Sequence, residues 1–481
     1  MATLSTHKLE TFPMFIAGEW VTSHQSHTVT LPYDGSPVGS TYLAKTDTLK
    51  SAVQAAKAGA TAMAQLTNFE RAELLLHIAA LIRRDLDDFS HLICCETGKP
   101  IKEARGEAER SVQTITAAAE EARRLRGEVI PMDAAPTGKG RMGMTIREPL
   151  GVIGAITPFN VPLNLALHKV APALAAGNSV VHKPALSTPL SALRFARAVE
   201  EARAPKGAYN VIVGDGKTLG TGLVTDPDVA MITFTGSVPI GKSIRDVAGL
   251  KRVTLELGSN SALILEPDCD LDAVIPRAVF GSFAHSGQIC ISVQRIYAHE
   301  LIVKKFVDRF VVAAENLTIG HPFEESTDIS SLIAEAEAIR VEDWINQAVQ
   351  SGARLLTGGD RKRATIRPTI LADVASAAQV SCKEVFGPVV AVNTYSKLDE
   401  AIKAVNDSVY GLQAGIFTSD IKRAFHAARH MEVGGVMIND VPTFRVDHMP
   451  YGGVKQSGMG REGPRYAIEE MTETKLICWT T

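Results

Sequence analysis

The stretch "GVIGAITPFN" (residues 151–160) decides the fold. Its first six residues form a short apolar run opened by glycine, the pattern of a buried strand. "LNLALHKVAPALAAG" (163–177) then carries helical periodicity and stops on Gly177, a C-terminal helix signal. The alternation continues with a strand in "NSVVHK" (178–183) and a helix in "TPLSALRFARAVEEARA" (188–204), with Pro189 near its first turn. "YNVIVG", "GKTLGTGLVTD", "VAMITFTG", "SVPIGKSIRDVAG" and "RVTLELG" carry it on to residue 258. Strand–helix–strand units of this length predict a parallel sheet covered on both faces, a Rossmann-like domain. Such sheets bind ligands outside the carboxyl ends of their strands.

Working outward, residues 259 to about 445 repeat the pattern, from "SALILEP" and a long helix around 271–287 to "GGVMIND". This predicts a second α/β domain. Upstream, residues 45–127 are rich in helix formers at helical spacing. "GEVIPMDAAPTGKGRMGMTIREPLG" (127–151) reads as an extended hairpin leaving the body. The tail "RYAIEEMTETKLICWTT" (465–481) ends in a strand with no evident partner. Hairpin and tail are expected to supply an inter-subunit sheet. The alternative is an ordinary edge strand within one chain.

The 481 residues are 45% hydrophobic and 21% charged, which fits a globular protein with a large core. A net charge of -3 advertises no polyanion, so no nucleic-acid partner is expected. Cysteines 94, 95, 269, 290, 382 and 478 form neither a metal-binding spacing nor a disulfide framework. A reducing, cytoplasmic location is expected, with no metal, no leader segment and no membrane span.

Several residues invite two readings. "GSVPIGKS" (236–243) matches the phosphate loop of nucleotide hydrolases, but Pro239 removes one of the N–H groups such a loop needs. What survives is a glycine-rich strand-to-helix turn that suits an anion such as a pyrophosphate. No G-x-G-x-x-G is present. Asn160 is either an amide donor at the ligand edge or a turn residue capping the next helix. Lys183 either snorkels to solvent or meets a ligand. Glu256 ends an apolar strand, where burial would raise its pKa toward that of a usable base. Cys290, in "FAHSGQICISVQR" (283–295), is either a core cysteine or a nucleophile on a tight turn.

Taken in order, "ITPFN", "VVHKPA", "FTGS", "LELG", "GQIC" and "EVFGPV" make the chain resemble the aldehyde dehydrogenase superfamily over essentially its whole length. "NDVPTFRVDHMPYGGVKQSGMGREG" (439–463) is similar to the branch of lactaldehyde, non-phosphorylating glyceraldehyde-3-phosphate and phosphonoacetaldehyde dehydrogenases. The resemblance implies a fold with a cofactor domain (1–126 and 148–258), a catalytic domain (259–447) and an oligomerisation element (127–147 and 464–481). It implies a homodimer or homotetramer using NAD or NADP.

It further implies that Cys290 attacks the aldehyde, that Asn160 and the Cys290 N–H hold the oxyanion, and that Glu256 activates water for thioester hydrolysis. That base favours release of a free acid over transfer to coenzyme A. The implied cofactor residues are Ile156, Thr157, Pro158, Phe159, Lys183, Ala185, Gly216, Phe234, Gly236, Ser237, Gly241, Leu257, Glu384 and Phe386. Two positions depart from the pattern. Leu186 replaces a glutamate that repels a 2′-phosphate, and Ser259 replaces a glycine. For substrate, the resemblance offers Arg110 (or Arg105), Ile289, Ile291 and Arg445, with Phe444 and His448 nearby. Ile289 stands where phosphate-handling relatives carry an arginine, which points to a small aldehyde with one hydroxyl or one anionic group: lactaldehyde-like, phosphono-, sulfo- or semialdehyde. A phosphorylated glyceraldehyde, a P-loop hydrolase and a non-enzymatic scaffold are the competing readings.

Overall fold

The computed structural model describes residues 10–481, so residues 1–9 of the expected cofactor domain lie outside the described part. An eight-stranded sheet runs in the order Gly458–Met459, Arg252–Glu256, Val229–Thr235, Val152–Ile156, Ser179–Lys183, Tyr209–Val211, Met14–Ile16, Glu19–Val21. The five strands from Arg252–Glu256 to Tyr209–Val211 are mutually parallel. Strand order reverses between Val152–Ile156 and Val229–Thr235, and this switch point opens a crevice at their carboxyl ends. A seven-stranded sheet, parallel apart from one edge pair, forms the second unit around Ala262–Leu265, Arg295–His299 and Val389–Tyr395.

Four helices, Thr46–Gln65, Asn68–Arg84, Leu86–Thr97 and Ile101–Arg124, occupy the region read as helical. Two of them supply caps that later helices lack. Glu107 accepts the N–H groups of Leu163 (2.9 Å) and Asn164 (3.3 Å), and Glu96 accepts those of Leu190 (2.8 Å) and Ser191 (3.1 Å). Buried carboxylates thus satisfy donors that would otherwise be orphaned. The sequence reading assigned no strands to residues 11–42, yet short strands there extend the first sheet and form a small sheet of their own.

Two expectations change in detail. The helix around 271–287 stops at Phe283, after which His285, Ser286 and Gly287 take left-handed φ values of 49°, 53° and 73°. The final strand, Thr472–Thr480, does have a partner: it pairs antiparallel with Arg141–Pro149 of the same chain, and Val129–Ile130 completes the sheet. The partner lies more than 300 residues upstream, too far for local pattern to reveal. The helix Pro464–Glu470 packs on Pro162–Ala175 of the first unit, so the tail joins this sheet only from Thr472.

Candidate active site

The strand Val152–Ile156 ends at the crevice, and the chain turns through Thr157, Pro158 and Phe159. Thr157 is pinned by His182 Nε2 at 2.8 Å, which leans on Tyr209 Oη at 2.8 Å. Asn160 follows, buried, and its Nδ2 donates to the Gln288 carbonyl at 2.8 Å. It does not cap the following helix, because Glu107 does that. Asn160 therefore ties the first unit to the loop carrying Cys290.

That loop is shaped by its left-handed run. A Cβ on Gly287 would lie 2.2 Å from the Gly387 carbonyl oxygen, and its φ is positive, so only glycine fits. This close approach brings the Glu384–Phe386 turn beside the cysteine. Phe386 meets Phe159 edge-on, with ring centroids 5.8 Å apart. Glu384 accepts the Ser259 N–H at 2.9 Å, and burial pushes its carboxyl up to about 7 against that bond. A Cβ on Gly258 would collide with this carboxylate. The Ser259 hydroxyl turns the other way, to Ser261 Oγ at 3.0 Å, so the glycine-to-serine departure leaves the Glu384 contact to the backbone.

Cys290 is half-buried within an apolar collar of Ile289, Ile291, Leu412, Met449 and Tyr451. Its Sγ lies 2.8 Å from Tyr451 Oη. Burial pushes the thiol up to about 12, while Tyr451 and the Arg445 charge pull it down. Glu256 is buried, and among the described residues neither of its carboxylate oxygens has a hydrogen-bond partner. Burial first, and then the negative charge of Glu462, hold its pKa well above the usual carboxylate range. Glu462 is the opposite case. Burial opposes its charge, but Lys169, Arg445 and His168 outweigh that and keep it ionised. Two carboxylates in one pocket are thus driven apart, the pattern that separates a proton acceptor from a fixed charge.

The arginines are engaged. Arg445, with a side chain 7% exposed, reaches Glu462 Oε2 at 3.0 Å and stacks 3.7 Å from the Tyr451 ring centroid, leaving its Nε buried and unpartnered. Arg110 forks onto Asp447 at 2.7 and 3.1 Å, and Asp447 also meets His168 and Asn164. Arg105, the alternative to Arg110, pairs instead with Glu325 on the surface. Phe444 and His448 are exposed. Sequence reading missed Tyr451, Glu462, Asp447, His168 and Lys169. Lys169 alone left a signal, a cation inside an apolar helix, and it is fully buried against Glu462 at 2.8 Å.

The residues expected to hold a cofactor line the other side of the crevice. Lys183 is buried rather than snorkelling, and among the described residues its ammonium meets only the Pro184 carbonyl at 3.2 Å. Burial lowers its pKa, and Asp215, beside Gly216, offsets this in part. The Gly236 N–H is taken by the Glu256 carbonyl at 3.0 Å, but the helix Val238–Val247 that follows Ser237 starts without a side-chain cap, so its N-terminus is open to an anion. Gly241 lets that helix close on Leu257, whose side chain a Cβ would strike. Phe234 and Leu257 are core residues beneath the site. Lys242, essential to the P-loop reading, is exposed. Ala185 and Leu186 are partly exposed, and the latter packs on the core, so position 186 offers no charge against a 2′-phosphate. An unsatisfied ammonium, an uncapped helix and a ribose-type acceptor in Glu384 fit a nicotinamide dinucleotide.

The sequence pattern of the aldehyde dehydrogenase family matches residues 20–477. The chain belongs to this family. It is 47% identical to a 3-sulfolactaldehyde dehydrogenase of Priestia aryabhattai, over 98% of this chain and 99% of that one. It superposes on aldehyde dehydrogenase 21 of Physcomitrella patens, solved with the reaction product succinate, at a TM-score of 0.96 and 40% identity, covering 98% and 99% of the two chains. The NADP-dependent glyceraldehyde-3-phosphate dehydrogenase of Bacillus halodurans, solved with NADP, matches at a TM-score of 0.95 and 36% identity, covering 98% and 100%. The protein is an NAD(P)-dependent aldehyde dehydrogenase. Among the described residues no helix is long and apolar enough to cross a membrane.

Proposed function

We propose that this dehydrogenase oxidises a short aldehyde carrying one anionic group, of the sulfolactaldehyde or semialdehyde kind, to its carboxylic acid. The observation that carries the reading is the Arg445 guanidinium behind Cys290. It lies against Glu462 on one side and the Tyr451 ring on the other, with Lys169 and Arg110 paired nearby to Glu462 and Asp447. Among the described residues its Nε is buried without a hydrogen-bond partner, one cationic donor left open. A single sulfonate or carboxylate oxygen would satisfy it. A dianionic phosphate would need a second cation, and Ile289 occupies the place where phosphate-handling relatives carry one. The 47% identical sulfolactaldehyde dehydrogenase and the succinate complex support the same chemistry.

In this reading Cys290 Sγ attacks the aldehyde carbon and forms a tetrahedral thiohemiacetal. The Cys290 N–H and one Asn160 Nδ2 hydrogen hold the oxyanion, while the second amide hydrogen keeps its bond to Gln288. Lys183, the turn at Ser237 and Glu384 would hold NAD(P), which would supply the hydride acceptor that turns the thiohemiacetal into a thioester. Glu256 then takes a proton from water, the water oxygen attacks the thioester, and sulfur leaves as thiolate. Its lack of any partner in the pocket leaves both oxygens free for that water.

Steady-state rates with sulfolactaldehyde, succinic semialdehyde, lactaldehyde and glyceraldehyde 3-phosphate, each with NAD and NADP, test the substrate. The monoanionic aldehydes are expected to lead lactaldehyde by about tenfold in kcat/KM, the scale of one charge-assisted contact. Arg445→Ala should erase that preference. Equal rates for neutral and anionic aldehydes, or a lead for the phosphate, would refute the proposal.

The protein is also proposed to work as a homo-oligomer. Thr472–Thr480 leaves one edge of its sheet open and exposes Leu476, Ile477 and Trp479 beside Met142 and Met144, an unprotected strand that invites another copy. Light scattering should give two or four chains for the parent and one after deletion of 472–481. A monomeric parent would contradict this.

A further inference from the structure

Tyr451 has no assigned part in the chemistry above, yet among the described residues its hydroxyl has a single partner, the Cys290 sulfur at 2.8 Å. The side chain is buried at 2% exposure among Ile291 and Leu412. It is held at both ends. Its backbone pairs with Glu462 through N–H···O bonds of 3.0 and 2.6 Å, and Arg445, itself anchored on Glu462, lies against its ring. Phenylalanine would fill the same space and keep the same cation–ring stack. A buried hydroxyl paired only with a thiol gains little, because a neutral thiol is a weak acceptor. Paired with a thiolate, the same O–H forms a charge-assisted bond. The geometry therefore rewards one protonation state of the sulfur.

Resting on the reading of Cys290 as nucleophile, we propose that Tyr451 is a further catalytic residue, whose hydroxyl donates to Cys290 Sγ, aims it, and stabilises its thiolate. The thiol proton leaves to water in the cleft and Tyr451 keeps its own. Arg445 over the ring assists by favouring negative charge on the sulfur and by drawing electron density from the phenol. The opposing groups are the carboxylates Glu256 and Glu384. Behind Arg445 and Glu256 stand Glu462, Lys169, Arg461, His168 and Asp447, whose charges largely offset one another. The tyrosine bond is thus the only direct donor to the sulfur among the described side chains.

The experiment follows alkylation of Cys290 by iodoacetamide across pH in the cofactor-free protein, with mass spectrometry separating Cys290 from the exposed Cys382 and Cys478. Tyr451→Phe is expected to slow Cys290 alkylation about tenfold at neutral pH and move its midpoint up by about one unit, the effect of losing one bond to a charged group. The acid limb of kcat/KM should move with it. Loss of fold gives the opposite sign, because an unfolded chain exposes the thiol and alkylates faster. Tyr451→His, which restores a ring donor, is expected to recover part of the loss. An alkylation curve unchanged in Tyr451→Phe, or identical Phe and His variants, overturns the proposal. Its failure is distinct from failure of the nucleophile assignment, which would show as turnover surviving in Cys290→Ser.

Discussion

Cys290→Ser is expected to reduce aldehyde oxidation by about 10⁴-fold or more, the scale on which loss of an enzyme nucleophile is felt. The physical reason is specific to this site. The collar of Ile289, Ile291 and Leu412 offers no other nucleophile, and the nearest hydroxyl, that of Tyr451, is held well above its ordinary pKa by burial. A serine hydroxyl is a far weaker nucleophile than a thiolate at neutral pH, and Glu256 remains in place to serve only the later step. The variant should keep the parent's affinity for NAD(P), measured by quenching of protein fluorescence, because Lys183, the Gly236–Ser237 turn and Glu384 are untouched. Turnover within tenfold of the parent would remove Cys290 from the mechanism. The other five cysteines provide an internal contrast. Cys94, for example, is fully buried in the first core, where burial raises its thiol pKa, and its replacement should leave the chemistry intact.

Glu256→Gln separates the two halves of the reaction. Thiohemiacetal formation and oxidation do not need the carboxylate, so rapid mixing should show a burst of reduced cofactor near one equivalent per chain. The steady rate that follows should fall by about 10²–10⁴-fold, the usual contribution of a positioned general base, and the thioester on Cys290 should be detectable by mass spectrometry. The pH dependence has a definite sign. Burial and Glu462 raise the Glu256 pKa, so the group is protonated and unable to accept a proton at low pH, and gains basicity as pH rises through that raised value. The steady rate of the parent should therefore climb with pH, whereas the burst should not follow the same curve. Glu256→Gln should flatten the climb. Full steady-state activity with no burst would assign water activation to another group.

Much of this was legible along the chain. The strand–helix alternation from 151 to 258 follows from apolar periodicity, and the buried strand Val152–Ile156 emerges where the run "GVIGAIT" predicts it. Asn160, Lys183, Glu256, Cys290 and Glu384 were each visible as a polar residue in an apolar or turn setting, and the structure gathers them around one crevice. Illegible were residues whose meaning depends on a distant partner. Asp447 looks like a loop residue until Arg110 and His168 close on it from other elements. Glu462 lies in a glycine-rich tail, yet it neutralises Lys169 at 2.8 Å across 293 residues of sequence. Tyr451 reads as an aromatic in a turn, and nothing local connects it to a cysteine 161 positions away.

By itself, then, the sequence determined the two α/β units and the order of their strands along the chain, because hydrophobic period and turn chemistry act over a few residues; the roles expected of Cys290, Glu256 and Asn160 came from the ordered motifs that carry the family resemblance. Only the tertiary structure decided what those groups can do. A carboxylate becomes a base or a fixed charge according to which cations reach it: Glu256 has no hydrogen-bonding partner and Glu462 has Lys169 and Arg445. That difference is electrostatic, depends on burial and on contacts between elements far apart in the chain, and comes into existence only when the fold brings them together.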